Sequence, residues 1–155
     1  MQKPTRESVL KQYEENLPDK VLGFFSYHRP LSNFHLEPFV WQGITWPSSE
    51  NAYQAAKGGP EYYQVFSKYS PNDSKKQGRS IPLIDNWNSR RIDFMRDILI
   101  QKFNQCQVAR NVLISTGNAY LEETNFWRDD FWGKCGFYGE NNLGKILMEI
   151  RKQHV

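Results

Sequence analysis

Residues 46–59 read WPSSENAYQAAKGG and predict a short helix with a start signal and a stop signal. Pro47 and the serines after it offer a first turn and an N-cap, and Gly58-Gly59 cannot continue a helix easily. At about 100° per residue, one face of this helix carries a carboxylate, a phenol, an amide and an amine. These side chains are Glu50, Tyr53, Gln54 and Lys57. Such a row predicts acid-base and amine chemistry on a small molecule.

The same helix also fits a simpler interpretation. Glu50 in the first turn and Lys57 in the last turn both complement the helix dipole, as on many surface helices. The spacing alone therefore leaves open an ordinary solvated helix. That alternative does not explain Tyr53 and Gln54 between the charges, nor the aromatic segments on both sides.

The composition favours a protein with a small sheet or a pocket that stacks a flat ring. The chain has 155 residues, enough for one domain with a substantial core. Aromatic residues make up 15% of it, and this excess suits an all-helical core badly.

Several classes of protein are disfavoured. No apolar run reaches the roughly 18 residues that span a bilayer, and the charged N-terminus does not resemble a signal peptide. Cys106 and Cys135 are too few for a disulfide framework, so a cytoplasmic location is expected. The three histidines lack metal-ligand spacing with the cysteines, and no phosphate fingerprint is present. We therefore expect no metal, no cofactor and no membrane partner.

Positive charge is concentrated in the middle of the chain. Residues 68–110 carry nine Lys and Arg against four Asp, whereas the net charge of the whole chain is only +3. This region could bind a phosphate group or could be a solvated helix face. The weak overall charge argues mildly against tight nucleic-acid binding.

The chain predicts an α+β fold, a single domain that is mainly helical with a small antiparallel sheet. Residues 1–20 read as an N-terminal helix or tail, and residues 21–155 as the domain. Residues 21–27 read as a first strand, and residues 39–41 and 44–46 as a hairpin across Gln42-Gly43. Further helices are expected over residues 61–69, from Trp87, through residues 108–113 and from residue 141 onward. Residues 71–74 read as a polar connection and residues 125–140 as irregular.

Five side chains outside the helix are candidate ligand contacts, and four of them have a structural alternative. Asn33 could offer an amide or cap a turn, Trp87 could stack a base or staple the following helix, and Arg79 could hold a phosphate. Asp129 and Trp132 could close over a ligand, or serve as a turn residue and a core anchor.

Taken in order, these segments resemble the NADAR family, and within it the YbiA-like N-glycosidases. The resemblance covers roughly residues 22–152. The motifs that carry it are LSNF at 31–34, WPSSE at 46–50 with Gln54 and Lys57, Gly78-Arg79, Trp87, Lys102-Phe103, Thr116-Gly117, residues 129–133, and NLGKILM at 142–148 with Arg151.

The resemblance implies an N-glycosidase that cleaves phosphoribosylaminopyrimidine intermediates of riboflavin biosynthesis and releases ribose 5-phosphate. Other members of the family remove ADP-ribose from guanine bases. A nucleic-acid partner is expected only in that alternative. A non-catalytic module that binds ADP-ribose-like ligands is the third hypothesis.

The resemblance also implies roles for the candidate residues. Glu50 is the expected acid and base or electrostatic partner, and Lys57 the expected nucleophilic amine. Asp129 is expected to bind sugar hydroxyls or stabilise charge. The expected substrate-binding residues are Asn33, Gln54, Arg79, Trp87 and Trp132, with Arg79 at the phosphate and the two tryptophans beside the pyrimidine.

Overall fold

A computed structural model describes residues 3–15 and 17–154 of the chain. Its elements in order are α1 (Arg6–Glu14), β1 (Lys20–Leu22), β2 (Phe39–Trp41), β3 (Ile44–Trp46), α2 (Ser49–Gly58), α3 (Tyr63–Phe66), α4 (Pro71–Gln77), α5 (Trp87–Gln105), α6 (Gln107–Ser115), β4 (Tyr120–Glu122) and α7 (Asn142–Gln153). Short 3₁₀ helices cover Ser26–Leu31 and Pro60–Tyr62.

The α+β class, mainly helical with a small antiparallel sheet, is confirmed. Strands β2 and β3 pair antiparallel, with Phe39 opposite Trp46 and Trp41 opposite Ile44. Gln42 (φ 55°) and Gly43 (φ 72°) both have positive φ, as the tight turn of a two-residue hairpin requires. A second, parallel pair of strands, β1 with β4, was not expected from the sequence.

The described residues divide into two compact units. One comprises residues 3–15, 17–32 and 111–154, and the other comprises residues 33–110. The first unit holds the parallel pair, α1 and α7. The second unit holds the hairpin and helices α2 to α5, and with them most of the candidate site residues.

The core of the second unit forms around α5, which packs against α2 and β2. Its inner stripe consists of Met95, Ile98, Leu99 and Phe103, each fully buried. In the first unit, α7 buries Leu143, Ile146, Leu147 and Ile150. The predicted starts of α5 at Trp87 and of α7 near residues 141–142 are confirmed.

The predictions for the first strand and for residues 71–74 were wrong in part. The first strand does not run over residues 21–27. It ends at Leu22, because Gly23 (φ 111°) and Ser26 (φ 48°) turn the backbone out of the extended conformation. Residues 71–74 are not a simple connection but the beginning of α4, where Pro71 stands in the first turn and the Ser70 side chain accepts from the backbone N–H of Asp73.

Residues 61–69 are less helical than expected, because they comprise the end of a 3₁₀ turn and the four-residue α3. Residues 125–140 contain no helix or named strand, as predicted. None of the helices in the described ranges combines the length and the apolar character that crossing a bilayer requires.

Candidate active site

Helix α2 begins and ends where its sequence signals predict. The Ser48 hydroxyl accepts the backbone N–H of Asn51 at 3.2 Å, and Gly59 follows the last turn with φ 99°. The backbone N–H of Glu50 donates to the carbonyl of Asn33 at 3.0 Å. The first turn of α2 is therefore fixed by a cap and by the preceding loop, which places Glu50 in a defined position.

Asn51 ties α2 to the segment that follows it. This side chain is fully buried, and its amide nitrogen lies 2.8 Å from the carbonyl oxygens of Phe66 and Tyr69 and 2.8 Å from the Ser74 hydroxyl. Since an unpaired buried polar group is costly, these contacts hold α3 and α4 at fixed positions beside α2. Asn51 was not singled out from the sequence.

Glu50 and Gln54 form a buried pair on α2. The Gln54 amide nitrogen donates to Glu50 Oε1 at 2.8 Å, and the two side chains are 5% and 7% exposed, respectively. This bond sets the orientation of the carboxylate. It also assigns the amide oxygen of Gln54 to the side away from Glu50, because two acceptors would repel one another.

Lys57 lies half-buried at the end of the same helix. Burial lowers the pKa of its ammonium group, and the positive charges of Arg79, Lys75 and Arg91 lower this pKa further, while Glu50 opposes them. The Lys57 ammonium nitrogen is 5.7 Å from the centre of the Tyr53 ring. A lowered pKa increases the fraction of neutral amine, the form that acts as a nucleophile.

Four predicted site residues of the second unit therefore interact with one another. Gln54 donates to Glu50, and the charges of Glu50 and Arg79 both act on Lys57. Lys75 and Arg91 also act on Lys57, and neither was named as a site residue from the sequence. The signal that could have found them is the excess of positive charge in residues 68–110. A cluster of cations beside one carboxylate is suited to an anionic ligand.

Asn33 is buried, and its side chain is hydrogen-bonded to the first turn of α2. Its Oδ1 accepts the Ser49 hydroxyl at 2.8 Å, and its amide nitrogen lies 3.8 Å from the sulfur of Met95. A contact between Asn33 and a substrate stays a prediction.

Trp87 packs within the aromatic core of the second unit. It is 5% exposed, and its ring centroid lies 5.5 Å from that of Tyr53 and 5.6 Å from that of Phe94. Trp87 therefore supports α2 and α5 from the inside. Whether it also contacts a base stays a prediction.

Asp129 and Trp132 belong to the other unit. Asp129 Oδ1 accepts the backbone N–H groups of Phe131 and Trp132 at 3.2 and 2.9 Å, as a turn residue does. Asn125 fixes the turn from outside, since its Nδ2 donates to the Asp129 carbonyl and its Oδ1 accepts the Asp129 N–H. The predicted ligand roles of Asp129 and Trp132 stay predictions.

This turn and the segments on both sides of it line an open cavity of about 490 Å³. Phe126, Phe137 and Tyr138 provide its aromatic wall, with Arg128 and Asp130 beside them. No group of three or more His, Cys, Asp or Glu side chains within residues 3–15 and 17–154 is arranged to hold a metal ion.

Comparison with known proteins places these features in a family. The sequence pattern of the NADAR domain matches residues 18–154. N-glycosidase YbiA of Escherichia coli is 37% identical over 145 residues, which cover 88% of this chain and 90% of that protein. An N-glycosidase from Nostoc punctiforme is 31% identical over 79% of this chain and 83% of its own length.

A longer relative and a solved structure are also similar to this chain. A riboflavin biosynthesis protein from Vibrio vulnificus is 33% identical over 96% of this chain, which spans only 40% of that protein. The NMR structure of E. coli YbiA superimposes with a TM-score of 0.77 at 36% identity, covering 89% of this chain and 86% of that one. Relatives named N-glycosidases support an N-glycosidase activity.

Proposed function

We propose, because this chain belongs to the NADAR family, that it hydrolyses the N-glycosidic bond of phosphoribosylaminopyrimidine intermediates of riboflavin biosynthesis. The products would be ribose 5-phosphate and a free aminopyrimidine. The names of the relatives support the type of bond, and the riboflavin protein of V. vulnificus supports the choice of substrate.

The observation that carries the proposal is the arrangement on α2. On this one helix, the Glu50 carboxylate is held by the Gln54 amide. Two turns after Glu50, the helix carries the half-buried amine of Lys57, whose pKa is lowered. Cleavage of a ribosylamine needs proton transfer to the departing nitrogen or the ring oxygen, together with stabilisation of positive charge at C1. A carboxylate and a neutral amine on one rigid element provide both.

In the proposed reaction, Glu50 takes up the proton that the Lys57 ammonium group loses and passes it to the ring oxygen while the C1–O bond breaks, leaving an iminium ion between C1 and the substrate nitrogen. The neutral amine of Lys57 adds to C1. After proton transfer through Glu50, the C1–N bond to the aminopyrimidine breaks and a Schiff base between Lys57 and C1 remains. Water adds to this Schiff base, releasing the aldehyde of ribose 5-phosphate and restoring the amine.

The cations around Lys57 suit the phosphate of this substrate. Arg79 is exposed and follows α4, and its charge acts on Lys57 together with those of Lys75 and Arg91. We assign the phosphate to Arg79, with Lys75 and Arg91 as added positive charge. Contacts of Asn33, Gln54 and Trp87 with sugar or base complete the proposal for the second unit. The roles of Asp129 at sugar hydroxyls and of Trp132 beside the base, both in the first unit, stay predictions from the resemblance.

The second candidate is removal of ADP-ribose from guanine bases or nucleotides. It breaks the same kind of C1–N bond, and three cations near one amine suit a pyrophosphate as well as a monophosphate. The third candidate, a non-catalytic ADP-ribose-binding module, would use the same charges without turnover.

The test is a turnover assay with mass-spectrometric detection on two substrates in separate tubes. One tube holds 5-amino-6-ribosylaminouracil 5′-phosphate and the other holds ADP-ribosylated guanosine. Glu50→Gln runs beside the natural protein, because the ribosylamine decays on its own. Lys57→Ala tests the nucleophile, with Lys76→Ala, an exposed lysine of α4, as its matched control.

Ribose 5-phosphate release above the Glu50→Gln background, in the first tube only, is the expected result. ADP-ribose release in the second tube only would move the protein to the guanine substrate. Binding without turnover in either tube would favour the binding module. Full turnover by a folded Lys57→Ala variant would exclude the Schiff base, whereas trapping of a sugar on Lys57 by borohydride would support it.

A further inference from the structure

Gly78 lies directly against the side chain of Gln54. A Cβ atom at Gly78 would be 2.0 Å from Gln54 Oε1 and 2.9 Å from its Cδ. No real Cβ contact is that short, so any other residue here would displace the amide. Gly78 itself has φ −60° and ψ −19°, the right-handed helical conformation that every residue adopts. The contact with Gln54, rather than the backbone conformation, is therefore what requires glycine.

The displaced group would be the one that orients Glu50. Gln54 is 5% exposed, and its amide nitrogen donates a hydrogen bond to Glu50 Oε1 at 2.8 Å. Among the residues that the structure describes, its Oε1 has no hydrogen-bond partner. An amide oxygen buried without a partner is unfavourable, so the gain at Glu50 and the fit against Gly78 must hold the side chain in this orientation.

Hydrogen bonds keep α4 from moving away from Gln54 to accommodate a side chain at position 78. The Gly78 N–H donates to the Ser74 carbonyl at 2.8 Å, and the Ser74 hydroxyl accepts from Asn51 of α2 at 2.8 Å. Gly78 is thus attached to α2 by contacts other than its packing on Gln54. A side chain at position 78 would move the amide more readily than it would move α4.

We propose that Gly78 is a positioning residue of the active site, which leaves the space in which Gln54 holds the Glu50 carboxylate in its productive orientation. The inference rests on the proposed function in so far as Glu50 is taken as the catalytic carboxylate. Gly78 does not touch the reacting atoms and acts only through Gln54.

The test is a double-mutant cycle with Gly78→Ala, Gln54→Ala and the pair together. Gln77→Ala, an exposed neighbour on α4, is the control and should behave as the natural protein. We expect Gly78→Ala to lower kcat by about 10²-fold, the effect of a misplaced catalytic group, with a smaller change in KM. In the Gln54→Ala background the same substitution should cost nothing further in kcat or in Tm, because the space is then free.

The cycle also covers the case in which Gly78→Ala alone folds poorly, since the double variant should recover the Tm of Gln54→Ala. Unchanged kcat in a folded Gly78→Ala variant, or losses in the double variant that multiply, would overturn the inference. An NMR measurement separates it from the proposed function. The Gln54 side-chain amide protons should lose their hydrogen-bonded chemical shift in Gly78→Ala and keep it in Gln77→Ala, whether or not either substrate is turned over.

Discussion

The amide of Gln54 donates to the carboxylate of Glu50 across one turn of α2, at 2.8 Å between Nε2 and Oε1. Both side chains are buried, and a hydrogen bond to a charged group contributes more than one between neutral groups. This pair is the structural basis of the first prediction.

Replacing Gln54 by alanine should lower kcat for ribosylamine cleavage by roughly 10-fold to 10²-fold, the equivalent of about 1.5–3 kcal/mol for a bond to a charged group. The Glu50 carboxylate would remain but lose the donor that orients it. Steady-state kinetics with the Glu50→Gln background subtracted provides the measurement. If Gln54→Ala turned over at the natural rate, the pair would be structural only.

The pKa of Lys57 should move in opposite directions in two variants. Removing a positive neighbour with Arg79→Gln favours the ammonium form and raises this pKa, whereas removing the negative neighbour with Glu50→Gln lowers it. If activity needs the neutral amine of Lys57, its onset in Arg79→Gln should lie at higher pH than in the natural protein.

The titration can be followed by NMR of the Lys57 side chain as a function of pH. Lys76→Gln, on the exposed surface of α4, serves as the control and should leave the midpoint in place. Shifts of the same sign in both active-site variants would contradict this electrostatic account.

Asn51→Ala should lower the free energy of unfolding by roughly 2–4 kcal/mol, since it leaves buried oxygens without their donor. The partners that would lose it are the carbonyls of Phe66 and Tyr69 and the hydroxyl of Ser74. Urea unfolding followed by tryptophan fluorescence gives the value. Asn72→Ala, exposed on α4, should change it little, and equal losses in the two variants would refute the special role of Asn51.

The stability should fall at high pH partly through Tyr120. Burial, with a smaller contribution from the hydrogen bond to Glu122, raises the pKa of this phenol from 10.0 to about 12. The folded state therefore holds the proton more tightly than the unfolded state. This contribution is complete below about pH 10 and is lost as the pH rises toward about 12.

Tyr120→Phe should remove that part of the pH dependence. Its free energy of unfolding should decline less steeply between pH 10 and 12 than that of the natural protein. Tyr138→Phe, a substitution of a highly exposed tyrosine, is the matched control. Identical slopes for Tyr120→Phe and the natural protein would show that Tyr120 contributes nothing in this range.

Local signals in the sequence predicted much of this architecture. Ser48 and Gly58-Gly59 bound α2, Gln42-Gly43 turn the hairpin, and the apolar stripe from Met95 to Phe103 marks α5. Each of these depends on neighbours within about four residues, so the pattern carries the information. The α+β class follows from the same signals, and the order of motifs indicated the NADAR family.

That Glu50, Gln54 and Lys57 share one face of a helix could be read from the residues alone, because helical periodicity is a local property. Three contacts became known only from the folded chain: Gly78 lies against Gln54, Asn51 joins α2 to α4, and β1 pairs with β4 across almost one hundred residues. These contacts join segments distant in sequence, and they form only when apolar burial brings the segments together. The charge pattern alone did not reveal which cations lower the pKa of Lys57, for the same reason.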